Sequence, residues 1–136
     1  MAECLFRETV GQRMGWEVSS AGLAAAYGIP ASSEAVAALE ERGLDLSHHS
    51  SRPLTPALVQ EADLLVVMTT AHQSLVRQLY PEASDKTVLL RAFDPAADSL
   101  DVDDPIGSPK DMYRRVRDEV SNALPGLTEF VKGFSR

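Results

Sequence analysis

Leu64-Leu65-Val66-Val67-Met68, followed at once by Thr69-Thr70-Ala71-His72, decides how the chain is read. Five apolar residues in an unbroken row have the length of a strand. The lack of polar alternation predicts a strand covered on both faces, the habit of parallel sheets. The polar pair Thr69-Thr70 stops the run, and the segment from roughly Ala71 to Leu79 reads as a helix closed by Pro81. The same grammar returns on either side. Downstream, Thr87 to Leu90 is a second buried strand. Upstream, Thr55-Pro56 offers a capping hydroxyl and then proline at the first helical position, which predicts a short helix to Ala62. Strands alternating with helices predict an α/β fold, a parallel sheet with helices on both faces in three layers.

Further toward the C-terminus, residues 91–107 hold Asp94, Asp98, Asp101, Asp103 and Asp104 with Pro95, Pro105 and Gly107. Few apolar side chains interrupt them, and a long irregular segment of this kind is where function tends to sit. Ser108-Pro109-Lys110-Asp111 is a capping box with an acid at its fourth position. It opens a last helix whose apolar stripe is Tyr113, Val116, Val120, Leu124, Leu127 and Val131, and which Pro125 is expected to bend or split.

Toward the N-terminus, Ser47 to Pro53 is polar loop, and a helix runs from a cap at Ser32 or Ser33 to Gly43. Ala21 to Ala31 is loop. Trp16 to Ser20 reads as a short strand, because Trp16 and Val18 alternate with polar residues. Residues 1–13 read as a helix with Leu5, Phe6 and Val10 on one side. The chain therefore opens on a helix, whereas a doubly wound domain opens on a central strand that feeds its first helix. The first strand and its loop are accordingly expected to belong ahead of Met1.

With 136 residues the chain is expected to form one domain spanning 1–136, enough for a single core. The formal charge of −7 repels polyphosphates and argues against nucleic acid as a partner. No apolar run is long enough to cross a bilayer, and the opening residues lack the pattern of a signal peptide. The single cysteine, Cys4, rules out an internal disulfide and fits a reducing compartment, so a cytoplasmic location is expected. Three histidines and one cysteine show no metal-ligand spacing, and neither a dinucleotide glycine motif nor a phosphate-binding P-loop motif is present. No metal or cofactor is expected.

Five segments in order resemble the low-molecular-weight protein-tyrosine phosphatases. Met1-Ala2-Glu3 is similar to the Met-Ala-Glu that follows the family's phosphate-binding loop, and Ser20-Ala21-Gly22 to its Ser-Ala-Gly after the second strand. His49-Ser50-Ser51-Arg52 resembles its His-x-x-Arg turn, and Val67 to His72 its third-strand edge. Asp104-Pro105-Ile106-Gly107, with Tyr113 beyond, resembles its Asp-Pro loop. The bacterial protein-arginine phosphatases share the framework, and Thr55 to His72 looks especially like theirs.

The resemblance implies a phosphotyrosine phosphatase I-like fold whose first, central strand is missing from this chain. It implies hydrolysis of phosphotyrosine or phosphoarginine in a phosphorylated protein substrate through a phosphocysteine intermediate, with Asp104 as general acid. The residue that separates the two substrate branches falls in the loop ahead of Met1. Such chemistry needs an attacking thiolate, a cradle of backbone N–H groups with an arginine, and an acid for the leaving group. Cys4 fails as the thiolate on spacing: six residues on stands Val10 where the cradle needs arginine. The chain as given is thus expected to lack the nucleophile loop and to be inactive alone. His49 and Arg52 are expected to hold a turn together, with Ser20 a candidate to brace the cradle from behind. A non-catalytic remnant or partner-binding module of the same fold is the alternative. Arsenate reduction on this framework would need redox cysteines that are not in the sequence.

Overall fold

The computed structural model describes residues 1–10, 15–23 and 25–133. Five α-helices and two strands are formed among them: α1 (Ala2–Val10), α2 (Ser33–Glu40), α3 (Pro56–Glu61), β1 (Leu65–Val67), α4 (Thr70–Leu79), β2 (Thr87–Leu89) and α5 (Lys110–Lys132). Short 3₁₀ turns at Pro81–Lys86 and Leu90–Phe93 flank β2. The chain divides into two compact units, the first made of Met1–Pro53 and Asp104–Ser121, the second of Leu54–Asp103 and the chain from Asn122.

The second unit contains the sheet. β1 and β2 pair in parallel, with Leu65 opposite Thr87, Val66 opposite Val88 and Val67 opposite Leu89. Two parallel strands need a crossover, and α4 supplies it. Thr69 caps α4 by accepting a hydrogen bond from the His72 amide at 3.0 Å. Thr55 does the same for α3 through the Leu58 amide, with Pro56 at the first helical position as expected. Lys86 closes the other end of α3 by donating to the carbonyls of Val59 (2.7 Å) and Ala62 (2.6 Å). Val59, Val76 and Leu90 are almost fully buried, at 1–2 % exposure. Each such burial contributes about 1.5–3 kcal/mol. The residues of β1 are only half-buried, so the expected cover on both faces of this strand is incomplete among the described residues.

In the first unit α2 begins where Ser32 accepts from the Ala35 amide, so of the two candidate serines Ser32 is the cap. Gly43 ends it with φ 74°, a left-handed conformation that glycine adopts without penalty, and Leu44 donates back to Leu39. Arg117 of α5, 8 % exposed, donates to the Ala38 carbonyl (2.8 Å) and to Glu41 (2.7 Å). Arg114 grips Glu41 through two nitrogens, and Arg42 pairs with Asp118. Ser51 pins the loop before α2: its amide donates to Ile29, and its hydroxyl to Ala26.

Four expectations are corrected. Trp16 to Ser20 forms no strand; among the described residues, pairing near it is limited to a single parallel bridge between Gly22 and Pro53, and a strand without a ladder is only an extended chain. Helix α5 starts at Lys110, inside the expected capping box. It is not split: Pro125 sits within it, and the apolar stripe buried on both sides of the proline outweighs one missing backbone bond. Val131, expected in that stripe, is only half-buried. The part of the first predicted helix at residues 11–13 lies outside the described residues. No helix among the described residues is long and apolar enough to cross a membrane.

Candidate active site

Polar side chains converge on the first turn of α1. Glu3 accepts a 2.6 Å hydrogen bond from the Ser20 hydroxyl and pairs with Arg7 at 2.8 Å. Arg7 also donates to the Val18 carbonyl, and Arg52 donates to the Ser20 carbonyl at 3.0 Å. Ser20 is thus held through both its hydroxyl and its backbone. Burial works against charge on Glu3, but the Ser20 hydrogen bond, Arg7 and the nearby His49 outweigh it and hold the carboxyl below its ordinary value. A negative charge so fixed at the start of a helix suits the helix dipole.

Arg52 therefore ties the His49–Arg52 turn to Ser20, not to His49 itself; the His49 amide donates to Leu46. His48 and His72 are exposed. Cys4 lies within α1 and half-buried. Burial pushes its thiol up, Glu3 and Glu8 add to that, and the chain amino group and Arg7 only partly offset them. An attacking cysteine needs the opposite environment.

Asp104 stands exposed at the start of a tight turn. Its carboxylate accepts from the Ile106 amide at 3.1 Å, an Asx-type contact, and Ser108 closes the turn by donating to Pro105 at 2.8 Å. Gly107 sits in this turn at φ 79°, where a side chain would be strained. Ile106 is 77 % exposed. The structure brings Glu3, Ser20, Arg52 and His49 together; Asp104 keeps a local hydrogen bond of its own.

Immediately before Asp104, in the second unit, a clasp escaped the sequence reading. Arg91, 8 % exposed, donates to the Asp101 carbonyl and to the Asp98 carboxylate. Asp101 in turn accepts from the Thr70 amide. The signal was present as an arginine set directly behind the apolar run Val88-Leu89-Leu90.

The chain belongs to the low molecular weight phosphotyrosine protein phosphatase family, whose pattern it matches over residues 1–134. Among its relatives is a protein-arginine-phosphatase of Geobacillus stearothermophilus, 38 % identical over 118 residues, covering 87 % of this chain and 78 % of the relative. Low molecular weight protein-tyrosine phosphatase A of Mycobacterium tuberculosis is 34 % identical over 137 residues, covering 96 % of this chain and 82 % of the relative. The solved structure of the YwlE arginine phosphatase from Geobacillus stearothermophilus superposes with TM-score 0.84 at 34 % identity, over 99 % of this chain and 88 % of that one. The expected fold class, α/β with the parallel sheet of these phosphatases, is the one observed.

Proposed function

We propose that the protein hydrolyses phosphate from tyrosine or arginine side chains of proteins, with Asp104 as general acid and with a nucleophilic cysteine that is not Cys4. Membership of the phosphatase family carries this reading. In the first step a thiolate attacks phosphorus; the S–P bond forms as the bond to the tyrosine oxygen or arginine nitrogen breaks. Asp104 delivers its proton to that leaving atom. Water, deprotonated by the same carboxylate, then cleaves the S–P bond and releases phosphate. Exposure of Asp104 on a glycine turn supports its part, since the acid must meet substrate from solvent. The Glu3–Ser20–Arg52 cluster supports a cradle at the start of α1, whose unpaired N–H groups and dipole favour an anion.

Cys4 has neither the arginine spacing nor the lowered pKa of a nucleophile, so the 136 residues alone are proposed to be inactive. The test compares residues 1–136 with the same chain carrying a strand and a Cys-x5-Arg loop ahead of Met1. Phosphotyrosine and phosphoarginine peptides are the substrates. Turnover confined to the extended form is the expected result, and its ratio between the two peptides assigns the substrate. An extended form with an ordered cradle and no turnover on either peptide would leave a non-catalytic binding module as the better reading.

A further inference from the structure

We infer that Arg91 is a positioning residue for the general acid, holding the chain from which Asp104 projects; this rests on the acid reading of Asp104. Arg91 follows β2 and is buried at 8 % exposure, so its charge must be met by hydrogen bonds. One guanidinium nitrogen donates to the Asp101 carbonyl at 3.0 Å and the other reaches the Asp98 carboxylate at 3.1 Å. Asp101 is gripped from a second direction, since its carboxylate accepts from the Thr70 amide at 2.7 Å in the first turn of α4. Next along, the Val102 amide donates to the Met68 carbonyl at 2.8 Å, one residue beyond β1, and the Val102 side chain is 4 % exposed.

These contacts fasten residues 98–102 to the C-terminal ends of both parallel strands, the edge where open α/β sheets assemble their sites. Asp104 comes two residues later. The contacts to Asp101 and Val102 engage or come from the backbone, so they fix the path of the chain. The Asp98 carboxylate is 85 % exposed, and an ion pair open to water on one side contributes little. Of the two contacts of Arg91, the one to the Asp101 carbonyl is the one that holds the backbone. A proton donor must come within about 2.6–3.2 Å of the leaving atom, and a misplacement of about 1 Å can cost on the order of 10²-fold. A chain released at Asp101 would leave Asp104, three residues on, less constrained along the backbone without altering any group that touches substrate.

The test uses Arg91→Met, which keeps the apolar stem, and Arg91→Lys, which can still donate to the Asp101 carbonyl. Amide hydrogen exchange of residues 98–106 is measured against α2 of the same chain. In Arg91→Met exchange of the loop should rise about tenfold or more with α2 unchanged, and Arg91→Lys should restore part of the protection. Unchanged loop exchange would overturn the inference whatever Asp104 does. In the extended form carrying a Cys-x5-Arg loop ahead of Met1, Arg91→Met should slow phosphotyrosine hydrolysis by about tenfold and p-nitrophenyl phosphate hydrolysis less than about twofold, because only the first leaving group needs the proton. Equal slowing of both substrates would reduce Arg91 to a stabilising residue and overturn the inference. Asp104→Ala is run beside it. If Asp104→Ala shows no such split, the acid reading fails and takes this inference with it, even where the exchange result stands.

Discussion

Asp103 and Asp104 are adjacent carboxylates, both exposed, and only the second is set in a glycine turn with its oxygen held by the Ile106 amide. That difference separates their expected roles. In the extended form carrying a Cys-x5-Arg loop ahead of Met1, Asp104→Ala should lower kcat on phosphotyrosine by about 10²–10⁴-fold, the range of a positioned acid, whereas Asp103→Ala should change it little. Tyrosine leaves with a pKa of about 10, so a substrate with a far less basic nitrophenolate should be hurt much less by the same Asp104 change. Steady-state kinetics of both variants on both substrates decides it, and a crippled Asp103→Ala would move the acid one residue upstream. Cys4 makes the opposite case. Burial raises its pKa, so little thiolate exists near neutrality. Alkylation by iodoacetamide should be slower than for free cysteine at pH 7, and should accelerate only as pH climbs above the ordinary thiol range. Fast labelling at neutral pH would contradict the structural role given to it. What the sequence showed at this scale was residue type and spacing, which put Val10 six residues after Cys4 where a cradle arginine would stand. It did not show Arg91 at work, because a buried arginine is explained only by partners that folding brings from Asp98 and Asp101.

Two helices with hydroxyl caps were legible as elements, since Ser32 and Thr55 each announce a helix through a local hydrogen bond; the same role of Thr69 for α4 is seen only in the fold. Trp16 to Ser20 was misread because a strand is defined by its neighbour, and alternation cannot tell whether one is present. The split expected as one outcome at Pro125 fails for a related reason: the cost of the proline is local, while the burial of Val120, Leu124 and Leu127 that outweighs it is tertiary. Gly126, next to it, gives a sharp prediction. A Cβ there would press on the Phe93 carbonyl oxygen, a backbone atom that cannot rotate away. Alanine gains about 1 kcal/mol in helix propensity, against about 1–3 kcal/mol for overpacking. Gly126→Ala should therefore lower Tm despite improving the helix, and a raised Tm would mean that Phe93 yields. The pH response of α2 and α5 follows from Glu41, whose carboxyl is lowered to about 2 by hydrogen bonds from Arg114 and Arg117. With its folded pKa below the unfolded value of about 4.3, Glu41 stabilises the fold fully above that unfolded value and loses the effect as pH falls through about 2. The Tm of Glu41→Gln should lie below that of the parent at pH 7, and the gap should close as pH is lowered from about 5 toward 2. Because the carboxylate is exposed, salt should narrow the gap as well. A gap that persists at low pH would assign the effect to packing.

At the scale of the whole molecule, alternation of apolar strand runs with capped helices was enough to define the class, because that pattern specifies a parallel sheet before any contact is known. The extent of the sheet was not legible, since strand count depends on which segments find a ladder. The consequence is energetic. Among the described residues the sheet consists of β1 and β2, three residues each, and β1 keeps apolar side chains half-exposed along its length. A two-stranded sheet presents two open edges, each with backbone donors and acceptors that need partners. Each such group left buried and unpaired costs about 1–3 kcal/mol, against a total stability of only about 5–15 kcal/mol for a domain. Helix burial at Leu39, Val59, Val76 and Val120 offsets part of this, so the polypeptide of residues 1–136 is expected to fold but weakly. Thermal melting followed by circular dichroism should give a broad transition below about 65 °C, at or beneath the upper end of the mesophilic range. Joining a strand ahead of Met1 should sharpen the transition and raise it, because a third ladder supplies partners to edge groups and covers the apolar faces. A sharp transition above about 65 °C for residues 1–136 alone would show that the sheet edges are satisfied without any further strand.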